Sequence, residues 1–525
     1  MATSDYTLCV DWNGDGDFGD TGELITDRVM FLEFSRGKNF PSQLTGRSIA
    51  GSLRAVLNNQ SNDYSPFNTS SGLSGNLIPG RKVQVQVARA EEFPYTFPFT
   101  FPGSPLWTGY ISSITPEVVV NNVKTVTLQA VGGLAVIARK ESQIAAQSDK
   151  RIDELIGVIL DDAGWAADDR DLSTAKTTVT KYWRNGGDSM SALRELEESE
   201  PGFIKELRDG KIGFEDREYR ITGDSLTSKL TFSDDAGRTF PIERIIQDDP
   251  FAGIFNEFKA NLTVVSSGSL AVLWTHPETG TASPAIGPGE ELTFYAQYPS
   301  LSEGVSSSAV AGQVAVDTWT TPVAGTDYLV NTAADGSGTA QQASVAVTAT
   351  KFSNQMKIVL TNNHASSGFI TKLQARGTTT VNSDTSVIIE SDADSQTKYF
   401  KRTFTITPKW IPTSKLARDW ALTRLSVYKD PLPRLTIGFT ANRDANTLHV
   451  AAFGLEISDR VTVDADGNAG LGINEDFFIE QISHVISQGN TSHQVQLMLS
   501  PASVTGGYWA LGTGKLGLST KLWYE

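Results

Sequence analysis

Strict alternation of apolar and polar residues is the feature that most narrows what this chain can fold into. "VQVQV" at 83–87 and "VKTVTLQAV" at 123–131 put an apolar residue at every second position or close to it. In an extended chain such residues share one face. Clusters of Gly, Asn, Asp and Ser separate these runs, as turns do. The expected class is β-rich α+β. Helical periodicity surfaces in only three places. In "DKRIDELIGVILDDAGW", Asp149 stands where an N-cap belongs, Ile152, Leu155, Ile156, Ile159 and Leu160 form one stripe, and Gly164 marks the end. "DSMSALRELEESEPG" starts at Asp188 and Ser189 and halts at Pro201-Gly202. "SKLARDWALTRLSVYKDP" carries Leu416, Ala417, Trp420, Ala421, Leu425 and Tyr428 and stops before Pro431. Ahead of residue 220, "GFIKELRDGKIGFEDR" reads as a hairpin turning at Asp209-Gly210.

Residues 262–400 have another texture: rich in Ser, Thr, Ala and Gly, poor in charge, without helical stripes. The alternation in "LTFYAQY", "SVAVTAT" and "KIVLT" favours an inserted β-sandwich-like domain over a disordered spacer. The 525 residues suffice for several cores. With Cys9 the single cysteine, no intramolecular disulfide can form, so packing, a metal or oligomerisation must hold the fold. "MATSDYTL" shows no secretory signal, and no run of about twenty apolar residues predicts a membrane-spanning helix. The formal charge of −16 argues against general or sequence-specific nucleic-acid binding, while an acidic wall would let DNA slide past without sticking.

One internal likeness stands out. "RKVQVQV", "LWTGYISSI" and "VKTVTLQAV" follow one another in the first part of the chain. "DRVTVDA", "FFIEQISHVI" and "SHQVQLML" follow one another near the C-terminus. Each set is a basic residue opening an alternating strand, an aromatic strand carrying Ile near its end, and an alternating return strand. Duplication and chance likeness between hairpins both remain open on this pattern.

Candidate chemistry is sparse. "CVDWNGDGDFGDTGE" at 9–23 packs carboxylates and glycines as calcium loops do, and Asp11, Asn13, Asp15, Asp20 and Glu23 are its candidate ligands. It is no EF-hand: the twelfth position is Gly22, Glu23 falls one residue late, and "YTLCV" before it reads as a strand. The competing reading is a loop of Asx turns. "DADGNAGLGINED" at 464–476 reads as a hairpin loop. "GTGKLG" at 512–517 matches a dinucleotide fingerprint only formally, since the required helix and strand have no room after it. The five histidines lie far apart or on hairpins and make no zinc motif; no nucleophile elbow occurs, and no cofactor is expected. "FPYTFPFTFPGSPLW" at 93–107 is either an edge segment packing its rings on its own barrel or an apolar arm for a neighbouring subunit.

Taken in order, several stretches resemble the tail-tip (baseplate) hub proteins of tailed bacteriophages and related contractile injection systems. They are "TDRVMFLEFSRGKN" at 26–39, "GSLRAVLNNQSNDYSPFN" at 51–68, "LSGNLIPGRKVQVQV", "LWTGYISSI", the two helices near 150–200, "KIGFEDREYR", "ARDWALTRLSVYKDPLPRLTIGF" and "LEISDRVTV". The resemblance covers all but residues 262–400. It implies a first hub β-barrel at 1–147, a small α/β domain at 148–235 and a second hub β-barrel at 236–261 and 401–525, with the β-rich insert at 262–400. It further implies a non-enzymatic homotrimer whose six barrels match a sixfold tail tube to a threefold tip, with a bore for DNA. Such a protein is assembled in the host cytoplasm and resides at the virion tail tip. Its partners would be the distal tail or tail tube protein, the tape measure protein and tail fibres or spikes. The chain ends soon after the second expected barrel, so no long fibre is expected on it. The alternatives are a hexameric distal tail ring protein, or a polysaccharide-acting enzyme or adhesin working through the insert.

Overall fold

The computed structural model describes residues 5–39, 47–88, 103–119, 123–235, 239–248, 250–276, 282–298, 313–382, 385–443, 447–487 and 489–502. The expected GTGKLG motif and most of the 93–107 segment lie outside these residues. The chain opens with β1 (Tyr6–Val10), β2 (Val29–Asn39), β3 (Arg47–Asn58), β4 (Lys82–Val87), β5 (Pro105–Val119) and β6 (Val123–Val131). Next come α1 (Gly133–Ile137), β7 (Glu141–Arg151), α2 (Ile152–Asp162), β8 (Arg170–Leu172), β9 (Thr178–Asp188), α3 (Ser189–Ser199), β10 (Phe203–Glu206) and β11 (Ile212–Glu215). They are followed by β12 (Thr231–Ser233), β13 (Phe240–Pro241), β14 (Arg244–Asp248) and β15 (Glu257–Leu262). The Ser/Thr-rich region supplies β16 (Val265–Ser267), β17 (Ala271–His276), β18 (Ala285–Ile286), β19 (Glu291–Gln297), β20 (Gln313–Trp319), β21 (Tyr328–Asn331), β22 (Val345–Lys351), β23 (Gln355–Asn362), β24 (Gly368–Asn382) and β25 (Ser386–Ser391). The chain continues through α4 (Ala393–Tyr399), β26 (Thr403–Ile406), α5 (Ser414–Tyr428), β27 (Arg434–Thr440), α6 (Leu448–Gly454), β28 (Arg460–Asp464), β29 (Asn474–Ser487) and β30 (Ser492–Pro501).

Among the described residues thirteen strands join into one sheet system that contains the same module twice. In the first module the hydrogen-bonded order is β1-β4-β5-β6-β3-β2; in the second it is β12-β28-β29-β30-β27-β14. The two correspond strand for strand in chain order as well: β1 to β12, β2 to β14, β3 to β27, and β4, β5, β6 to β28, β29, β30. The similar stretches of sequence are the two meanders. Both central strands carry a bulge at the matching place, between Ile111 and Ser113 in β5 and between Ile479 and Gln481 in β29. One pairing differs, since β1 runs antiparallel to β4 whereas β12 runs parallel to β28. Alternating residues of both modules, among them Leu8, Val85 and Leu128 from the first and Ile437, Phe477 and Leu497 from the second, share one continuous core.

The modules meet edge to edge. β2 pairs antiparallel with β29, from Leu32 opposite Ile486 to Gly37 opposite Gln481. β29 has room for this because β28 occupies the same edge only as far as Phe478.

The helical stripe of α2 is buried as its spacing requires, against Leu193, Leu196, Ile204 and Phe214. Its start differs from expectation. Asp149 is not a cap but sits at φ 52° inside β7, and the helix begins after Arg151, whose N–H is accepted by Glu154 at 2.9 Å. Asp188 does cap α3, accepting the Ser191 N–H at 2.8 Å. The Asp209-Gly210 turn joins β10 to β11 as the sequence predicts. In the Ser/Thr-rich region, "LTFYAQY", "SVAVTAT" and "KIVLT" fall on β19, β22 and β23, which form one sheet, and β24 anchors another. Both sheets contribute to a shared core, with Leu273, Trp319, Ile358 and Leu373 buried in it. α5 packs Trp420, Leu425 and Tyr428 on Phe258 of β15, whose sheet of three with β25 and β26 is separate from the modules.

Candidate functional site

The most heavily built polar region lies where the two modules and the β10–β11 hairpin converge. β2 delivers Arg36 and Lys38 to it. Arg36 is 5% exposed, donates from Nε to the Leu106 carbonyl at 3.1 Å, and pairs with Glu456 in the loop after α6. Arg208, at the hairpin turn, holds the other oxygen of Glu456 at 2.9 Å and donates to the Phe453 and Leu455 carbonyls, each at 2.8 Å. Burial alone would raise the Glu456 carboxyl, but Arg36 and Arg208 overturn that and hold it well below the usual carboxylate range.

A second ion cluster lies farther along the same seam, against the same hairpin. Glu480 occupies the bulge of β29 and is fully buried. It accepts a bidentate fork from Arg220 at 2.5 and 3.1 Å, the Lys38 ammonium at 3.0 Å and the Ser500 hydroxyl at 2.6 Å. Desolvation opposes its charge, and the Arg220 and Lys38 charges win, so the carboxyl is held far down. Both cations lie over the Phe203 ring, Lys38 Nζ 3.9 Å and the Arg220 guanidinium carbon 5.5 Å from its centroid. Lys205 and Glu215 form a third buried pair, and Lys205 also donates to the Ile457 carbonyl at 3.0 Å.

Glu206 belongs to the same hairpin and ties it to β3 and α1. Its two oxygens accept the Gly51 N–H at 2.6 Å and the Leu134 N–H at 2.7 Å. Burial pushes its carboxyl up to about 7, against the pull of those two donors and Arg36. A Cβ on Gly132 would overlap this carboxylate, which accounts for a glycine at the start of α1. Gly37 is similarly fixed. Its φ is +126°, and an added Cβ would lie 2.6 Å from Gln481 Cα and closer still to the Glu480 carbonyl. The seam therefore depends on backbone contact at one glycine, flanked by buried ion pairs.

A partner for a charge buried this deeply is obligatory, because removing one member strands the others out of water. The arrangement fixes the orientation of one module relative to the other. Buried charges paired across the two modules give the region the chemistry of a joint.

The expected calcium loop is spatially closed on itself. Asn13 Nδ2 donates to Asp15 at 3.0 Å and to Asp20 at 2.6 Å, so those three come together. Asp11 accepts the N–H groups of Gly14 and Gly16 at 2.5 and 3.1 Å. Glu23 accepts those of Trp12 and Asp20, both at 3.1 Å. These are the bonds of Asx turns and loop clamps, and among the described residues no group of three or more His, Cys, Asp or Glu is placed to hold a metal ion. Folding does gather three histidines that sequence spacing kept apart. His484 Nδ1 lies 2.9 Å from His493 Nε2, and the His449 ring centroid lies 6.3 Å from that of His493. His484 stacks on Phe34 across the seam, with centroids 4.5 Å apart.

Alternation marks "TDRVMFLEFSRGKN", "FFIEQISHVI" and the β10–β11 hairpin as strands and leaves the ion clusters they build unread. One signal was present: Glu480, with Gln481, breaks the apolar run Phe477–Ile479 ahead of Ile482. A lone acid at such a place is a buried polar group in need of a partner.

No family model matches the chain, and no curated protein does. Solved structures do. A tail protein from Neisseria meningitidis aligns over 95% of this chain and 98% of its own, at 12% identity and a TM-score of 0.50. A 43 kDa prophage tail protein from Shewanella oneidensis aligns over 96% and 98%, at 8% identity and a TM-score of 0.47. An E. coli component of the type VI secretion system aligns over 96% and 79%, at 9% identity and a TM-score of 0.38. The chain shares the fold of the Neisseria tail protein over nearly its whole length, and at the level of fold the resemblance read from the sequence holds.

Proposed function

From that shared fold we propose that this chain is a non-enzymatic structural subunit of a phage tail-tip hub. Three copies bring six near-equivalent β-barrel modules into a ring that closes the tail tube and steps its sixfold symmetry down to three, leaving a bore for DNA. Its partners on this reading are the distal tail or tube protein on one side and the tip proteins on the other, and its location is the virion tail tip. The observation that carries the proposal is the strand-for-strand repetition of the module within one chain, joined by β2–β29 pairing. A chain with two copies of a ring-forming unit makes a sixfold ring from three subunits. The buried ion clusters support it, because a ring under load needs its two modules held at a fixed angle.

Native mass spectrometry of the purified chain tests the reading. Three copies support the hub; six copies favour a distal ring protein; a monomer at micromolar concentration overturns both ring assemblies.

A further inference from the structure

We propose that the outer edge of β14 pairs antiparallel with the outer edge of β5 in a second copy of this chain, Ile245 facing Val118 and Asp248 facing Thr115. The proposal rests on the hub reading and specifies the surface by which successive subunits join.

The argument is one of internal equivalence. β2 joins the first module to the second by pairing with the C-terminal half of β29. β14 stands in the second module where β2 stands in the first, and β5 stands in the first where β29 stands in the second. A contact that carries module one to module two therefore has a counterpart carrying module two to the next module one. This is a heterologous contact, which propagates until a ring closes. Among the described residues of one chain that counterpart is unmade, and both of its surfaces lie open.

β14 pairs with β27 on one edge, and among the described residues no strand covers the other. β5 is covered by β4 only from Pro105 to Tyr110, and the Gly80–Arg81 backbone extends that cover to Ile111. Beyond Ile111 it pairs with β6 on the opposite edge alone among the described residues. Exposed edges of this kind invite pairing unless something blocks them. Here apolar side chains accompany them, Ile246 at 40% and Val118 at 64% exposure. Pro116 lies in the exposed stretch of β5 and points its imide nitrogen to the open edge, so the ladder lacks one donor there and the Gln247 N–H donates to the Pro116 carbonyl without a return bond.

The register follows from the bulges and ladders. Aligning the bulges sets Ser112 against Glu480, so Thr115–Val118 correspond to Ser483–Ile486. Counting across the ladders sets Leu53 against Leu435, so Leu32–Ser35 correspond to Ile245–Asp248. The seam within the chain pairs Leu32 with Ile486 and Ser35 with Ser483. Translated, Ile246 faces Glu117 and Gln247 faces Pro116.

Cysteine crosslinking tests it. Facing residues of an antiparallel pair have Cα atoms about 4.5–5.5 Å apart, within disulfide reach. Ile246 and Glu117 are both exposed, so replacing them disturbs no core. The chain carrying Ile246→Cys and Glu117→Cys is oxidised with copper phenanthroline and run without reductant. The expected result is a ladder ending at three chains, reversed by dithiothreitol. A control pairing Ile246→Cys with Ser113→Cys places the thiols about 13 Å out of register and should remain uncrosslinked. Native mass on the unsubstituted chain runs beside it. A trimer without the crosslink, or equal crosslinking in the control, overturns this pairing and leaves the hub reading standing. A specific crosslink in a particle of six chains supports the pairing and overturns the hub reading. A monomer without crosslinks overturns both.

Discussion

Replacing Gly37 by Ala should open the seam between the modules. The backbone there is at φ +126°, a conformation that costs a residue with a side chain about 1–3 kcal/mol. The new methyl would press on backbone atoms of Glu480 and Gln481, which cannot swing aside as a side-chain tip does. Overpacking of this sort costs about 1–3 kcal/mol more. Even the low ends together, about 2 kcal/mol, raise the local opening equilibrium about 30-fold. A chain of several cores does not unfold in one step, so a global midpoint is a poor readout. Amide hydrogen exchange is local and suits the question. Peptides covering Leu32–Gly37 and Gln481–Ile486 should exchange about 30-fold faster or more, while peptides from α2 and the 345–362 strands keep their rates. Gly72→Ala is the control, since an added Cβ there meets nothing within 4 Å. Unchanged protection at the seam in Gly37→Ala would refute the argument from close backbone approach.

Glu480→Ala strands Arg220 and Lys38 without their shared carboxylate and should destabilise the same seam by about 3–5 kcal/mol, read by the same peptides; a change below about 1 kcal/mol would count against the ion cluster as a fixing device. Acidification should act in two stages. Burial holds His484 down to about 3 and His493 well below its ordinary value, so below pH 6.5 the opened chain takes up protons that the closed one refuses, and each histidine weakens the seam by about 1.4 kcal/mol per pH unit. Glu206, raised to about 7, has the opposite sign: the closed state binds its proton first, so between pH 7 and 4.5 it offsets part of that loss. Below pH 4.5 the depressed Glu456 and Glu480 join the histidines, so the decline should steepen there, and a profile of seam protection that is flat to pH 3.5 contradicts this. Calcium titration decides the 11–23 loop: the Asx-turn bonding predicts an unchanged melting temperature with calcium or chelator, and a rise with calcium would assign Asp11, Asn13, Asp15, Asp20 and Glu23 to a cation.

Local periodicity carried most of the secondary structure, because alternation and helical stripes are properties of neighbouring residues. The stripe Ile152–Leu160 became the buried face of α2, "VKTVTLQAV" became β6, and Asp209-Gly210 became a turn. The weak likeness of the two meanders pointed to a repeat, since the same strand pattern was written twice. Asp149 failed as a cap because pairing of β7 with β9 kept the chain extended two residues longer than its own propensities suggested. The joint was invisible for a deeper reason. Arg36, Glu206, Arg208, Glu456 and Glu480 are as far as 444 positions apart by their numbers, and edge pairing of β2 with β29, with the β10–β11 hairpin packed against it, brings them together. An ion pair has no sequence periodicity, and its strength depends on burial, which packing alone creates. The sequence by itself determined the strands of the two meanders and the helices α2, α3 and α5, and it raised the repeat as one of two readings, while α1, α4 and α6 left no stripe to read. Tertiary structure decided which edges meet, which charges lose their water and which edges are left open, because those follow from distances in space that no spacing along the chain records.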